Sequence, residues 1–288
     1  MSIKKPKNYL SDLITIMKKS IRTRLSNGLR SIGILHSIDT VRFYILNLKT
    51  LKERRKFLSD NPGIPIPPAY LIYEAFDLNY DSYYFASKRT ASWLLDHFKR
   101  HHILNNINIL DWGCGPARIA RHLPDLLDKS CSLYATDYNA NSIAWNKKNI
   151  RNVNFNLNYT EPPLPYVDNS FDIVYGISIF THLPEDLHYK WFDELVRITK
   201  NGGIIFQTLQ GSAFKVKMTP AELGKYNRGE LITRGNTKVG HRTYTAIQSP
   251  EFVKKLAGKN KILEHIEGDI RNDKPQQDIW IIGVVKVS

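Results

Sequence analysis

Two glycines one residue apart, Gly113 and Gly115, follow the apolar run Asn108-Ile-Leu-Asp111-Trp112 and precede a helical pattern. Glycine adopts left-handed backbone conformations without steric cost, so the chain can turn tightly here and lie close against a ligand. The next apolar run, Leu133-Tyr-Ala-Thr-Asp137, ends in a carboxylate 24 residues after Gly113, where it can accept hydrogen bonds from ribose hydroxyls. Strand, glycine turn, helix, strand and acid in this order point to a bound nucleoside. A pyrophosphate would need N–H donors at the helix start, and Pro116 removes one of them. The third glycine of the dinucleotide fingerprint is also absent, which disfavours a nicotinamide dinucleotide. Asp111 adds negative charge that repels phosphates and attracts a sulfonium or ammonium. His182 follows a later apolar run; it reads either as a proton acceptor for an acceptor group or as a structural residue ahead of Pro184-Glu185.

These residues need a scaffold that gathers them at one edge. Downstream of about Tyr83, short β-branched runs alternate with helical stretches, the pattern of a parallel sheet built from βαβ units. The spacing predicts a helix over 84–100 and strands over 107–112, 132–137, 153–157, 171–176 and 203–208. Helices over 117–127, 140–150 and 185–199 separate them, with Asn201-Gly202-Gly203 turning the last helix into its strand. A helix over 250–257 and two strands, 262–266 and 279–285, close one sheet edge. In open α/β folds ligands bind at the carboxyl ends of the strands, which is where Gly113, Asp137 and His182 fall. Residues 210–249 are glycine-bearing, polar and too long for an ordinary connection, so they read as a cap-like insertion.

The first 60 residues hold 14 Lys and Arg against four acidic residues, and so carry most of the chain's net charge of +14. From Leu10 to Leu25 the apolar residues recur at helical spacing with basic residues between them, and Val41 to Leu51 repeats the pattern. The proline cluster 62–68 breaks it. We therefore divide the chain into a basic helical extension with linker, 1–68, and a core domain, 69–288. A charged face docking on the core, contact with anionic lipid headgroups and nucleic-acid binding are the three readings of the extension. The last is the weakest, because the extension carries few aromatics and no recognition motif.

Composition bounds the rest: 42% hydrophobic against 24% charged residues suffices for a full core and excludes a disordered polymer. Cys114 and Cys131 belong to no disulfide framework or metal-ligand cluster, so no metal is expected and a reducing cytoplasm is the simplest compartment. No apolar run is long enough to span a bilayer, and no export signal is visible.

The stretch from about Asp111 to Thr208 resembles the class I S-adenosylmethionine-dependent methyltransferases. Asp111-x-Gly113-x-Gly115 resembles their first motif and Asp137 their ribose-binding acid. Leu164-Pro165-Tyr166 with Phe171-Asp172-Ile173-Val174 resembles a further block, as do Phe180-Thr181-His182-Leu183 and Gly202-Gly203. The resemblance implies a Rossmann-like seven-stranded sheet with the last strand antiparallel. It also implies S-adenosylmethionine as cofactor, held by Asp111, Gly113, Cys114, Gly115, Asp137, Tyr138, Asn158, Tyr159, Gly176 and Ile177. Ala117 replaces a common third glycine, and Asn158 stands where an acid often bonds the adenine amino group; an amide oxygen can accept that bond.

Methyl transfer depends chiefly on positioning, and a base is needed only where the acceptor must lose a proton. His182 is the candidate base, and Tyr84, His241 and Tyr244 are candidate acceptor contacts. Similar methyltransferases with these elements and a Gln277-Asp278 strand accompany surface-polysaccharide or secondary-metabolite pathways. The resemblance thus points to O-methylation of a small-molecule, saccharide or lipid-linked acceptor, and a lipid-linked acceptor would give contact of the basic residues 1–60 with an anionic membrane a purpose. An RNA or protein methyltransferase and a non-catalytic cofactor-binding module are the alternatives. Against the first of these, Asp172-Ile173-Val174-Tyr175 stands in place of the Asn/Asp-Pro-Pro-Tyr/Phe tetrad of many amino-methyltransferases.

Overall fold

The computed structural model describes residues 35–76, 78–235, 239–240 and 243–286. The basic pattern from Leu10 to Leu25 and the candidate His241 lie outside them. Helices α1 (Leu35–Lys49) and α2 (Leu51–Asp60) come first, then α3 (Ala69–Phe76), one π-helical turn (Ser82–Ala86) and α4 (Ser87–Lys99). None of the described helices is long and apolar enough to cross a membrane.

Seven strands form one sheet in the order β3-β2-β1-β4-β5-β11-β8. They are β1 (Asn108–Trp112), β2 (Ser132–Asp137), β3 (Asn154–Leu157), β4 (Phe171–Ile177), β5 (Thr199–Leu209), β8 (Lys261–Ile266) and β11 (Asp278–Gly283). β11 runs antiparallel to both neighbours, β5 and β8, and the other pairs are parallel. The order reverses between β1 and β4, leaving a crevice at the strand ends that carry Trp112 and Ile177. Alternation along each strand sends Leu110, Val174 and Ile205 to one face, and Ile109, Ile173, Tyr175 and Phe206 to the other.

The first face is covered by α6 (Glu185–Ile198) and α8 (Pro250–Ala257), and the second by α4. In α6, Leu187, Trp191, Leu195 and Ile198 recur at three- and four-residue steps and are buried, each contributing about 1.5–3 kcal/mol by leaving water. Glu185 and Asp186 lie in its first turn, where they complement the helix dipole. The Ser249 hydroxyl accepts the Phe252 N–H at 3.1 Å and caps α8, with Pro250 in the first turn.

Three predicted elements differ. The helix expected over 117–127 is a 3₁₀ segment of six residues, Ala120–Asp125. Ala117 sits at φ +53°, and Pro124 has no N–H to donate within a helix. The helix expected over 84–100 opens as the π turn and becomes α-helical at Ser87. The turn expected at Asn201-Gly202-Gly203 is an irregularity inside β5: Gly202, at φ +78°, donates its N–H to the Val284 carbonyl and keeps the edge paired.

The insertion 210–249 carries a 3₁₀ turn (Ser212–Lys217), α7 (Pro220–Asn227) and the antiparallel strands β6 (Ile232–Arg234) and β7 (Thr245–Ile247). A two-residue pair, β9 (Ile270–Arg271) and β10 (Lys274–Pro275), tops the connection from β8 to β11.

Candidate active site

A cavity of about 640 Å³ lies at the crevice where the strand order reverses. Its floor is the turn after β1. Gly113 and Gly115 sit at φ +79° and +51°, conformations that only glycine takes without strain. A Cβ on Gly113 would collide with Ile179, whereas a Cβ on Gly115 would meet no atom within 4 Å. The first glycine is therefore needed for packing, and the second leaves open a space that a ligand can enter.

Asp137 ends β2 beside this turn. Its Oδ2 accepts the Gly115 N–H and its Oδ1 the Asn139 N–H, both at 2.8 Å. Burial raises its carboxyl above the usual range, and the two N–H donors oppose that shift. Each oxygen keeps a lone pair, so the group fits a pair of ribose hydroxyls. The Asn139 side chain caps α5 (Ala140–Asn149) by accepting the N–H groups of Asn141 and Ser142. One short loop thereby places both the acid and the helix behind it.

Trp112, Cys114, Tyr138, Asn158, Tyr159 and Ile177 also line the cavity. The Asn158 amide is engaged at both ends: Oδ1 accepts from the Thr136 hydroxyl at 2.7 Å and Nδ2 donates to the Tyr159 carbonyl at 2.6 Å. Each amide atom retains one further bonding position for an adenine edge. Glu194, buried on α6, accepts the Leu164 N–H and pairs with Arg197, whose guanidinium donates to the Tyr166 carbonyl. The Leu164-Pro165-Tyr166 block is thus anchored from below and does not line the cavity.

Asp111 and Gly176 are not among the cavity-lining residues. Asp111 faces the α4 side of the sheet beside Tyr175, and burial raises its carboxyl to about 7 against the pull of Tyr175 and Arg118. Gly176 faces the other side, where a Cβ would lie 2.6 Å from Gln207 Oε1 and 2.9 Å from the Trp112 ring. Its smallness serves core packing. The Cys114 thiol, pushed up by burial, is held neutral and unreactive.

His182 lies on the cavity rim in a short 3₁₀ turn, Phe180–His182. Its Nδ1 is 2.9 Å from the Tyr244 backbone carbonyl. A carbonyl only accepts, so Nδ1 carries a ring proton, and in the neutral ring the lone pair is on Nε2. Tyr244 itself is buried in the core and supplies this carbonyl, without lining the cavity. Tyr84 also lies elsewhere, edge-on to His122 at 4.8 Å and under the Arg121 guanidinium at 4.9 Å. The insertion reaches the cavity through Val239 and Gly240. Gly240 donates its N–H to the His182 carbonyl at 2.9 Å and accepts from the Tyr138 hydroxyl at 3.4 Å.

Several lining residues carry no sequence signal. Ser178, next after β4, adopts φ +65°, a strained conformation for a non-glycine residue. Its N–H donates to Thr208 Oγ1 at 2.9 Å and its hydroxyl to Gln277 Oε1 at 2.7 Å, joining the ends of three strands. Leu71 of α3, Trp191 and Gln210 also line the wall. Sequence separation conceals all of them, because the crevice collects the ends of strands far apart in the chain.

Residues 110–207 match the family model described as a methyltransferase domain. The malonyl-(acyl-carrier protein) O-methyltransferase of Bacillus anthracis is 24% identical over 182 residues, which span 59% of this chain and 62% of that protein. Among solved structures, the PH0226 protein of Pyrococcus horikoshii superposes with a TM-score of 0.50 at 16% identity, covering 74% of this chain and 97% of that one. The citrinin polyketide synthase CMeT domain also gives 0.50 at 16% identity, covering 76% of this chain and 56% of that one. At these identities the two structures establish the fold.

Proposed function

We propose that this chain, whose residues 110–207 match the model of a methyltransferase domain, is a class I S-adenosylmethionine-dependent methyltransferase that methylates an oxygen of a small-molecule, saccharide or lipid-linked acceptor. The carrying observation is the cavity between the Gly113–Gly115 turn and His182, with Asp137 placed for a ribose at one end and an imidazole of defined tautomer at the other. The relative's printed name, an O-methyltransferase, supports oxygen as the acceptor atom.

When bound, S-adenosylmethionine supplies an activated methyl group on a sulfonium. Asp137 holds the ribose end through its two carboxylate oxygens, and Gly115 leaves the space for it. Asn158 presents an amide to the adenine. Val239 and Gly240, tied to His182 and Tyr138, act as the cap that keeps water from the acceptor end. His182 takes the proton of an acceptor hydroxyl on Nε2 while the Tyr244 carbonyl holds the proton on Nδ1. Calorimetric titration with S-adenosylmethionine, S-adenosylhomocysteine and NAD tests the cofactor part: micromolar binding of the first two and none of NAD is the expected result. Release of S-adenosylhomocysteine over a panel of hydroxylated and carboxylated acceptors then tests the reaction.

A second reading concerns place. Ile38, Val41, Ile45 and Leu48 form one stripe along α1 and remain exposed, Leu48 at 74%. The inner side of the helix is mixed: Phe43 packs edge-on against Tyr73 at 5.2 Å, Asp39 accepts from the Tyr73 hydroxyl and Asn47 from Arg54. An outward apolar stripe beside exposed Arg42, Lys49, Lys52 and Arg55 suits the interface of an anionic bilayer. Flotation with anionic vesicles tests it.

A further inference from the structure

A second cavity of about 680 Å³ opens on the α4 side of the sheet, between that helix and the connection from β8 to β11. It meets the first cavity at Arg118, Ile177 and Gln277, which line both. Ile177 ends β4 and Gln277 receives the Ser178 hydroxyl, so the two spaces join where the strained Ser178 turns the chain. An acceptor filling the second cavity would present its reactive end at this junction.

The chemistry of the walls is specific. One face of α4 contributes Arg89 and Trp93, and the 3₁₀ turn after β5 contributes Phe214. Trp93 is set edge-on against Phe206 at 5.7 Å, which fixes its ring as an apolar wall. Five charged side chains line the space: Arg89, Arg118, Arg271, Glu267 and Asp269. Arg271 and Asp269 pair with each other at 2.9 Å and cancel. Glu267 belongs to the loop beyond β8, on the wall away from Arg89 and α4. Arg118 is balanced by Asp111 behind it, whereas Arg89 has no acidic partner among the described residues. An exposed guanidinium that shares a cavity with an apolar wall matches a carboxylate or phosphate bidentately.

We propose that this second cavity binds the acceptor, and that the acceptor is an amphipathic anion whose acidic group is anchored by Arg89 while its apolar body lies along Trp93 and Phe214. The assignment of the cavity to an acceptor rests on the methyl-transfer reading; the ligand chemistry rests on the cavity alone. Arg89 lines the second cavity and not the first, so its anion lies away from the junction where the methyl group is received.

The test uses the full chain and three probes of equal apolar length: hexanoate, monohexyl phosphate and 1-hexanol. Calorimetric titration in the presence of S-adenosylhomocysteine is expected to give binding of one or both anions roughly tenfold or more tighter than the alcohol, the scale of one charge-assisted hydrogen bond. Whether the carboxylate or the phosphate binds better decides the acidic group. Arg89→Gln should abolish the preference. Lys88→Gln, the same charge change at the neighbouring position outside the cavity, should keep it. Equal binding of the alcohol, or an anion preference that survives Arg89→Gln, overturns the proposal. Titration of S-adenosylhomocysteine alone reads out the cofactor site separately: its failure with anion preference intact would remove the methyl-transfer reading and leave the anion site standing.

Discussion

The Nδ1 of His182 and the backbone carbonyl oxygen of Tyr244 lie 2.9 Å apart, joining the turn after β4 to the insertion 62 residues later. The contact holds a ring proton on Nδ1 without requiring any particular side chain at 244. His182→Ala should therefore lower the turnover number about 10² to 10⁴-fold on a hydroxyl acceptor, the usual range for a positioned base. Calorimetry should show cofactor affinity nearly unchanged. Unchanged turnover would remove the base.

Tyr244→Phe makes a companion variant. It keeps the backbone carbonyl, so turnover should stay near that of the parent protein, with the loss confined to thermal stability. A large fall in turnover with the fold intact would show that the hydroxyl itself contributes.

Gly115 and Gly113 should separate cofactor binding from folding. Gly115→Ala costs about 1–2 kcal/mol for a left-handed non-glycine residue and directs its methyl into the cavity, so cofactor affinity should collapse while the protein stays folded. Gly113→Ala adds a collision with Ile179 to the same backbone cost and should unfold at lower denaturant. Urea titrations beside calorimetry on both variants check the split.

Asp137→Asn keeps the volume and one oxygen acceptor but replaces the other with a donor that opposes the Gly115 or Asn139 N–H. Cofactor affinity should fall by roughly 10- to 100-fold, the loss of a charge-assisted hydrogen bond. Equal affinity would place the ribose elsewhere.

The Asp111 carboxyl, raised by burial to about 7, predicts a pH dependence. Below its ordinary value of 3.8 it is protonated folded and unfolded; between there and about 7 only the fold keeps the proton. The unfolded chain then binds fewer protons, so this group's contribution to stability falls as pH rises through that window. His122 and His188, pushed down to about 4 by burial, act oppositely: their contribution is present above their ordinary 6.5 and lost as pH falls towards 4. Urea midpoints of Asp111→Asn and the parent should isolate the first effect, the variant gaining relative stability from pH 4 to pH 7. A constant difference across that range would show that Asp111 is ionised in the fold.

Much of the frame was legible in order. The strands β1 to β5, the closing pair β8 and β11, and the helices α5, α6 and α8 follow from apolar periodicity, because each buries one face against one sheet. The glycine turn and Asp137 were legible because both are local: a positive φ needs glycine, and an acid ending the next strand necessarily faces that turn. The helix expected after Pro116 was misread because periodicity is blind to Ala117 adopting positive φ.

What the amino-acid order determined was therefore the Rossmann-like sheet, its polarity and the glycine turn with Asp137 at one end of the crevice, since these rest on residues close in sequence. Tertiary structure alone decided that Gly176 packs against Trp112 and Gln207, that Tyr244 offers His182 a carbonyl, and that Ser178 meets Gln277 across 99 residues. Those relations depend on which strand ends the crossover at β1 and β4 brings together. No local pattern encodes that distance, because it is set by the packing of the whole sheet between its helical layers.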